Sequence, residues 1–337
     1  MQTYFDRVDL PYYREHIAEF LPDQVVDFHT HVYRAQYMGQ PLKPPRDWAE
    51  YVSPRTWPLT TLRRYYQRLF PGKRFTPVVF GMPRSDADAD AMNRFVAESA
   101  ASDGDAFPFL VTRPQWSAEE LEVRLRSGPF KGLKPYLSLA PNWTGGDVSI
   151  FDFLPREHLD VAQDLGLCVL LHIPRAGRLT DRDNVRELHQ IVADFPRLKV
   201  VVAHIGRAYC LPNARRGLPQ LRDCPSLLYD FSASANADVF ELALREVGPG
   251  RLIFGTDLPA VAFRARRLCE DDHYVNIVRR ASFSDSHLRV APPEERDSIT
   301  FYVYEQMAAF REAAERVGLS RGELEDVFRN NALSLLA

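Results

Sequence analysis

The feature that most constrains this 337-residue chain is a repeated alternation: a short apolar run, a loop, then an amphipathic stretch. The runs are QVVDFHTHV (24–32), FTPVVFGM (75–82), AFPFLVT (106–112), KGLKPYL (131–137), CVLLHI (168–173), KVVVAHI (199–205), LLYDFSA (227–233) and RLIFGTDL (251–258). Most hold Val, Ile, Leu and Phe without polar alternation, which is how parallel strands buried on both faces read. Helical patterns lie between them. SAEELEVRLRS follows the third run, with Ser117 and Glu120 spaced as a capping box. REHLDVAQDLG precedes the fifth, and Gly166 is placed to end it. Further helices are expected at 88–102, 183–196, 237–248, 298–317 and 321–336. Eight strands alternating with helices predict an α/β fold, a (β/α)8 TIM barrel read as a single domain over 1–337. It would carry long loops after strands 1 and 8 and a C-terminal helix. A doubly wound open sheet competes, but its GxGxxG loop is absent after the first run.

Composition narrows the function classes. With 45% hydrophobic and 26% charged residues, the chain is not a disordered one. Its net charge is -3 and its arginines are scattered, so no nucleic-acid or membrane partner is expected. No stretch approaches the ~18 apolar residues of a membrane span. The N-terminus lacks a basic segment followed by an apolar core, which leaves the cytoplasm as the expected location. Cys168, Cys210, Cys224 and Cys269 form no CxxC pair and read as buried thiols of a reducing compartment.

Two connections are long. Segment 33–74 carries Tyr33, Tyr37, Trp48, Tyr51, Trp57, Tyr65 and Tyr66; segment 259–297 carries Arg264, Arg266, Arg267, His273, Arg279 and Arg280. Loops that follow barrel strands sit on the catalytic face, so both are expected to shape substrate access. Oligomer contacts or plain surface insertions are compatible readings.

The strongest chemical signal is Asp27-Phe28-His29-Thr30-His31 at the end of the first run. Strand alternation sends His29 and His31 to one side, about 7 Å apart along the chain. Two imidazoles converging at a barrel mouth can share one divalent metal. His172, His204, Asp257 and Lys134 stand at the same level, near the ends of the fifth, sixth, eighth and fourth runs. Buried polar groups need partners, and a shared metal supplies one. Arg113, Arg175 and Arg207 lie near the same rim and suggest a carboxylate-bearing substrate, although surface arginines would look the same singly.

On these motifs the sequence resembles the amidohydrolase superfamily, in its amidohydrolase 2 branch. The matching pieces are DFHTHV (27–32), GLKPY (132–136), LLHIP (170–174), VVVAHIG (200–206), FGTDLP (254–259) and the closing VFRNNALSLL. The resemblance implies a (β/α)8 barrel with a divalent metal, often zinc, held by His29, His31, His172 and Asp257. His204 would sit beside it. Lys134 would contact substrate in a one-metal site or, carboxylated, bridge two metals; pairing with a rim carboxylate is the structural alternative. One zinc per chain is expected, with manganese, iron and cobalt suited to the same donors. A small-molecule substrate and a homo-oligomer are expected too.

A divalent metal so held lowers the pKa of a water it binds towards ~7. Asp257 is placed to accept that water's proton and His204 to stabilise a developing oxyanion. The expected reaction is hydrolysis of a lactone, amide or ester. Non-oxidative decarboxylation of an aromatic or unsaturated acid is the rival within the same branch. A non-catalytic metal-binding barrel is the third reading.

Overall fold

The computed structural model describes residues 3–40, 45, 48–141, 143, 145 and 147–337. Eight parallel strands follow one another in chain order: β1 (Gln24–His31), β2 (Arg74–Phe80), β3 (Phe107–Val111), β4 (Gly132–Lys134), β5 (Cys168–Leu171), β6 (Val200–Val202), β7 (Leu227–Asp230) and β8 (Leu252–Ile253). Phe28 N donates to Phe254 O at 3.0 Å and His31 N to Leu258 O at 2.8 Å, which brings β8 back onto β1. The fold is the expected TIM barrel, with helices between strands and a helix, Asn331–Leu336, near the C-terminus. Ser117 and Glu120 make the expected capping box, and Gly166 takes the left-handed φ of 67° past helix Arg156–Asp164.

Strand alternation sorts two buried layers. Val78 and Phe80, Phe109 and Val111, and Leu170 point into the barrel, whereas Val79, Leu110 and Leu171 face the helices. Phe28 meets Phe109 edge to face at 5.5 Å across the interior. β4 has room for this ring only because residue 132 is glycine. A Cβ there would stand 2.6 Å from the Phe109 ring and 2.8 Å from the Cys168 carbonyl.

The excursion after β8, expected as a long loop, contains strands of its own. It forms an antiparallel pair, β9 (Ala265–Glu270) with β10 (His273–Val278), to which β11 (Leu288–Val290) adds in parallel. Charged residues interrupt the apolar alternation of β9, which hid the strand. The cysteine expectation also fails in part. Cys168 and Cys224 are buried thiols, but Cys210 and Cys269 form a disulfide, Cα atoms 5.8 Å apart across a separation of 59 residues. The bond ties β9 to the segment after β6, a proximity that only the folded excursion creates. The cysteines therefore give no support for a reducing compartment. No helix among the described residues is long and apolar enough to cross a membrane.

Gly132→Ala is expected to destabilise the barrel by about 1–3 kcal/mol, because a backbone carbonyl as well as the Phe109 ring blocks the added methyl. Urea unfolding would measure it. A variant as stable as the parent would show that the interior can relax.

Candidate metal centre

Alternation alone places three rim residues. Leu170 points inward and so does His172; Leu228 points inward and so does Asp230; Lys134 ends β4 on the inner side, wholly buried. His29 and His31 need something more. Val26 and Phe28 face the interior, so a regular strand would turn both histidines outward. β1 carries one extra residue between Asp27 and Thr30 relative to β2, a bulge that re-aims the rest of the strand. The His29 and His31 rings then meet 5.8 Å apart at the mouth. His204 and Asp257 arrive through left-handed backbone, with φ of 58° and 69°. Gly255 lets β8 approach, since a Cβ there would lie 2.9 Å from that of His29.

The outer nitrogens are already committed. His29 Nδ1 faces Asp230 Oδ2 at 2.9 Å, and His31 Nδ1 faces the Gly81 carbonyl at 3.2 Å. Both contacts hold a proton on Nδ1 and leave Nε2 as a lone pair. These lone pairs converge: Asp257 Oδ1 is 3.6 Å from His29 Nε2 and 3.3 Å from His31 Nε2. The three donor atoms lie within 4.8 Å of one another. That donor set, with tautomers fixed from behind, fits a divalent cation.

A second cluster, His29, His204 and Asp230, has similar spacing. Its centre is filled by the Ser232 hydroxyl, which bonds Asp230 and lies 3.2 Å from His29 Nδ1 and 2.8 Å from His204 Nδ1. Asp230 therefore serves the imidazoles from behind. It went unremarked in the sequence although it ends a strand at the level of the other rim residues. His172 stands 5.4 Å from the His204 ring, outside the tight group of three. Its Nδ1 is buried with no hydrogen-bond partner among the described residues.

Burial dominates the electrostatics. It pulls His29, with help from Lys134, down to about 3 and takes His172 well below the ordinary imidazole range. It pulls Lys134 down to about 8, against the attraction of Asp230 and Asp257. The Lys134 ammonium lies 3.4 Å from His29 Nε2 and over the Phe80 ring. Burial raises Asp257, but contacts with His31, His29 and His204 outweigh it and the carboxyl ends below its usual range. Asp27 stays behind the rim, accepting from Tyr66, from the Thr256 hydroxyl and amide, and from His29 N.

The rim arginines divide. Arg175 grips Glu187 with two bonds of 2.8 and 3.1 Å. Arg113 donates to the Arg84 and Ala87 carbonyls and lines an open cleft of about 520 Å³ outside the histidine cluster. Arg207 donates through Nη1 to the Pro174 carbonyl at 2.6 Å, beside His172.

The profile of the amidohydrolase family Amidohydro_2 matches residues 26–337, and the chain belongs to that family. No curated protein matches the sequence. Solved structures share the fold at low identity. An amidohydrolase from Burkholderia multivorans with bound zinc is 13% identical over 93% of this chain and 99% of that one, with a TM-score of 0.60. A probable 2-pyrone-4,6-dicarboxylic acid hydrolase from Acinetobacter baumannii is 15% identical over 93% and 98%, with a TM-score of 0.52. A dihydroxybenzoic acid decarboxylase from Polaromonas with bound manganese is 14% identical over 94% and 97%, with a TM-score of 0.55.

Asp230→Asn is expected to weaken zinc binding about 10- to 100-fold, because the amide no longer fixes the His29 tautomer by charge. Competition against a chelator would measure it, with far-ultraviolet circular dichroism as the check on folding. Parental affinity would reduce Asp230 to a packing role.

Proposed function

We propose that the chain is a metal-dependent hydrolase that cleaves a lactone, amide or ester bond of a small carboxylate-bearing substrate. The observation that carries this is the convergence of Asp257 Oδ1 with the Nε2 atoms of His29 and His31. These three residues, with His172 beside them, would hold one divalent ion, zinc or manganese being suited to the donors. When bound, the ion supplies Lewis acidity towards a substrate carbonyl and an attacking water. Asp257 takes the water's proton and returns it to the leaving oxygen or nitrogen. His204 faces the same space. Its Nδ1 proton is committed to the Ser232 carbonyl at 3.0 Å, so it donates through Nε2 to a developing oxyanion only as the imidazolium. Burial outweighs the attraction of Asp257 and Asp230 and holds His204 below its ordinary range, so the resting ring is neutral and the oxyanion's developing charge must draw the proton onto Nε2. Lys134 is offered as a substrate contact from the floor of the mouth, and Arg207 as one from its rim.

Decarboxylation is the second reading. It is favoured by the flat aromatic walls beside His172 and Lys134, with Tyr136 4.9 Å from the His172 ring and Phe80 under the Lys134 ammonium. Metal-loaded protein should be screened against lactones, esters and amides by acid release, and against hydroxylated aromatic acids by carbon dioxide release. Acid release supports hydrolysis; carbon dioxide release replaces it with decarboxylation.

About one metal per chain is expected by elemental analysis, and His29→Ala should lose metal and turnover together. About two would assign Lys134 as a carboxylated bridge. Asp257→Asn should lower kcat on the order of a hundredfold or more while the melting temperature stays near that of the parent. Full activity with lowered melting temperature would make Asp257 a structural residue.

A further inference from the structure

Beside the histidine cluster, three arginines gather with no carboxylate paired to them among the described residues. Arg178 follows β5, Arg207 follows β6 and Arg267 lies on β9. Two tyrosines join Arg178 and Arg267. The Arg178 guanidinium sits over the Tyr209 and Tyr274 rings at 5.4 and 5.5 Å; that of Arg267 sits over the same rings at 4.9 and 4.3 Å. Tyr209 and Tyr274 pack edge to face at 4.9 Å, and Tyr209 lies 6.3 Å from the His204 ring. Arg207 is close enough to depress both Arg178 and His172 electrostatically.

Arg113 and Arg251 are held singly by backbone carbonyls, but other half-buried arginines take a carboxylate. Arg63, Arg84, Arg175 and Arg264 each hold a carboxylate. Arg267 is only 6% exposed, yet its partners are Asn276 Oδ1 at 3.0 Å and the Ala233 carbonyl. Among the described residues Arg207 donates only to the carbonyls of residues 173–175. The Arg178 guanidinium makes no hydrogen bond or ion pair among the described residues; only its backbone is bonded, accepting from Asn184 Nδ2 at 2.8 Å. Arg178 and Arg207 also hold left-handed backbone, φ 54° and 59°, which residues with a Cβ adopt at a cost and which collects at functional sites. Gathering three like charges in a half-buried place is unfavourable unless an anion joins them. The Cys210–Cys269 disulfide fixes the geometry, since it lies three residues past Arg207 and two past Arg267.

We infer that Arg178, Arg207 and Arg267 form a subsite for a carboxylate of the substrate, remote from the reacting bond and separated from it by Tyr209. Arg178 and Arg207 offer free guanidinium edges to the carboxylate oxygens. Arg267 lies beneath the tyrosines and adds field rather than a direct contact. The inference rests on the proposed hydrolase only in taking the anion to be part of the substrate. It narrows that substrate to molecules bearing a carboxylate one ring or a short chain away from the scissile carbonyl.

The test is calorimetric binding of glutarate, and separately of inorganic phosphate, to the metal-free full-length protein at low ionic strength. Glutarate should bind saturably. Arg178→Met and Arg207→Met should each weaken it about tenfold or more. Arg266→Met, a neighbour on β9 that pairs with Glu295, should stay within about twofold. The Arg178 guanidinium makes no hydrogen bond among the described residues, only contacts with the Tyr209 and Tyr274 rings, so melting temperatures of both variants would check that weakened binding is not lost folding. No saturable glutarate binding, or equal binding by the parent and both variants, would overturn the subsite. Phosphate binding tighter than glutarate, lost in the same variants, would overturn the carboxylate in favour of a phosphoryl group. Because no metal or turnover is involved, failure of every hydrolysis screen would leave this result standing. Binding failure with active hydrolysis would remove only the subsite.

Discussion

The site depends on how the barrel closes. β1 and β8 are the first and last strands of the chain's main sheet, and the backbone that joins them carries His29, His31 and Asp257. Asp257 N donates to His29 O at 2.7 Å, while Phe28 N and His31 N donate to the Phe254 and Leu258 carbonyls. The carboxylate of Asp257 therefore cannot drift from the two imidazoles without opening the barrel. Behind the seam, Asp27 accepts the Thr256 amide and hydroxyl and the Tyr66 hydroxyl, bonding β1 to the end of β8 a second time. Preorganisation of donors on rigid strands is what a metal centre needs, and here the closure of the fold provides it.

Much of this was legible in the sequence because strand periodicity is strict. The eight apolar runs became the eight strands, and His172 lies inward because Leu170 does. The same rule pointed to Asp230, which sits two residues past inward Leu228. It was passed over because a lone aspartate in LLYDFSA has no neighbouring histidine to advertise it. What periodicity could not supply was the bulge in β1. Strict alternation correctly put His29 and His31 on one side, but Val26 and Phe28 share that side only because one extra residue intervenes. Long side chains were the other gap. Arg113 and Arg175 start from rim positions, yet a guanidinium reaches far enough to fold back on a local carbonyl or on Glu187. Likewise, β9 to β11 and the disulfide exist through contacts between segments that no local pattern encodes.

Backbone conformation marks the same end of the barrel. Arg178, His204, Ile205, Arg207, Ala233 and Asp257 all take left-handed φ values without being glycine, and all follow β5 to β8. Asp271 does so too, but in the turn between β9 and β10, where such a conformation is ordinary. The bottom of the barrel, plugged by Ala332, Leu335 and Leu336, has no comparable cluster among the described residues. Side chains that leave regular strands through left-handed turns are aimed where alternation would not send them, and that aim brings His204 and Asp257 to the histidine pair.

The charges at the mouth then decide what it attracts. Buried Asp230 and half-buried Asp257 are carboxylates facing the imidazoles, and the buried Lys134 ammonium feels both. Burial keeps His29, His172 and His204 towards neutrality in the resting site, so they add no charge of their own. The chain's own residues around the metal position thus come to about one negative charge, and Arg178, Arg207 and Arg267 add positive charge on one side only. Fields from groups in a low-dielectric mouth are weakly screened, so this asymmetry orients a molecule as well as attracting it. A substrate with a carboxylate at one end and a neutral carbonyl at the other would enter with its anion towards β9 and its carbonyl towards Asp257. Orientation of that kind confers selectivity before any bond is broken, and it draws on loops after three strands, Arg178 following β5, Arg207 following β6 and Arg267 standing on the excursion after β8.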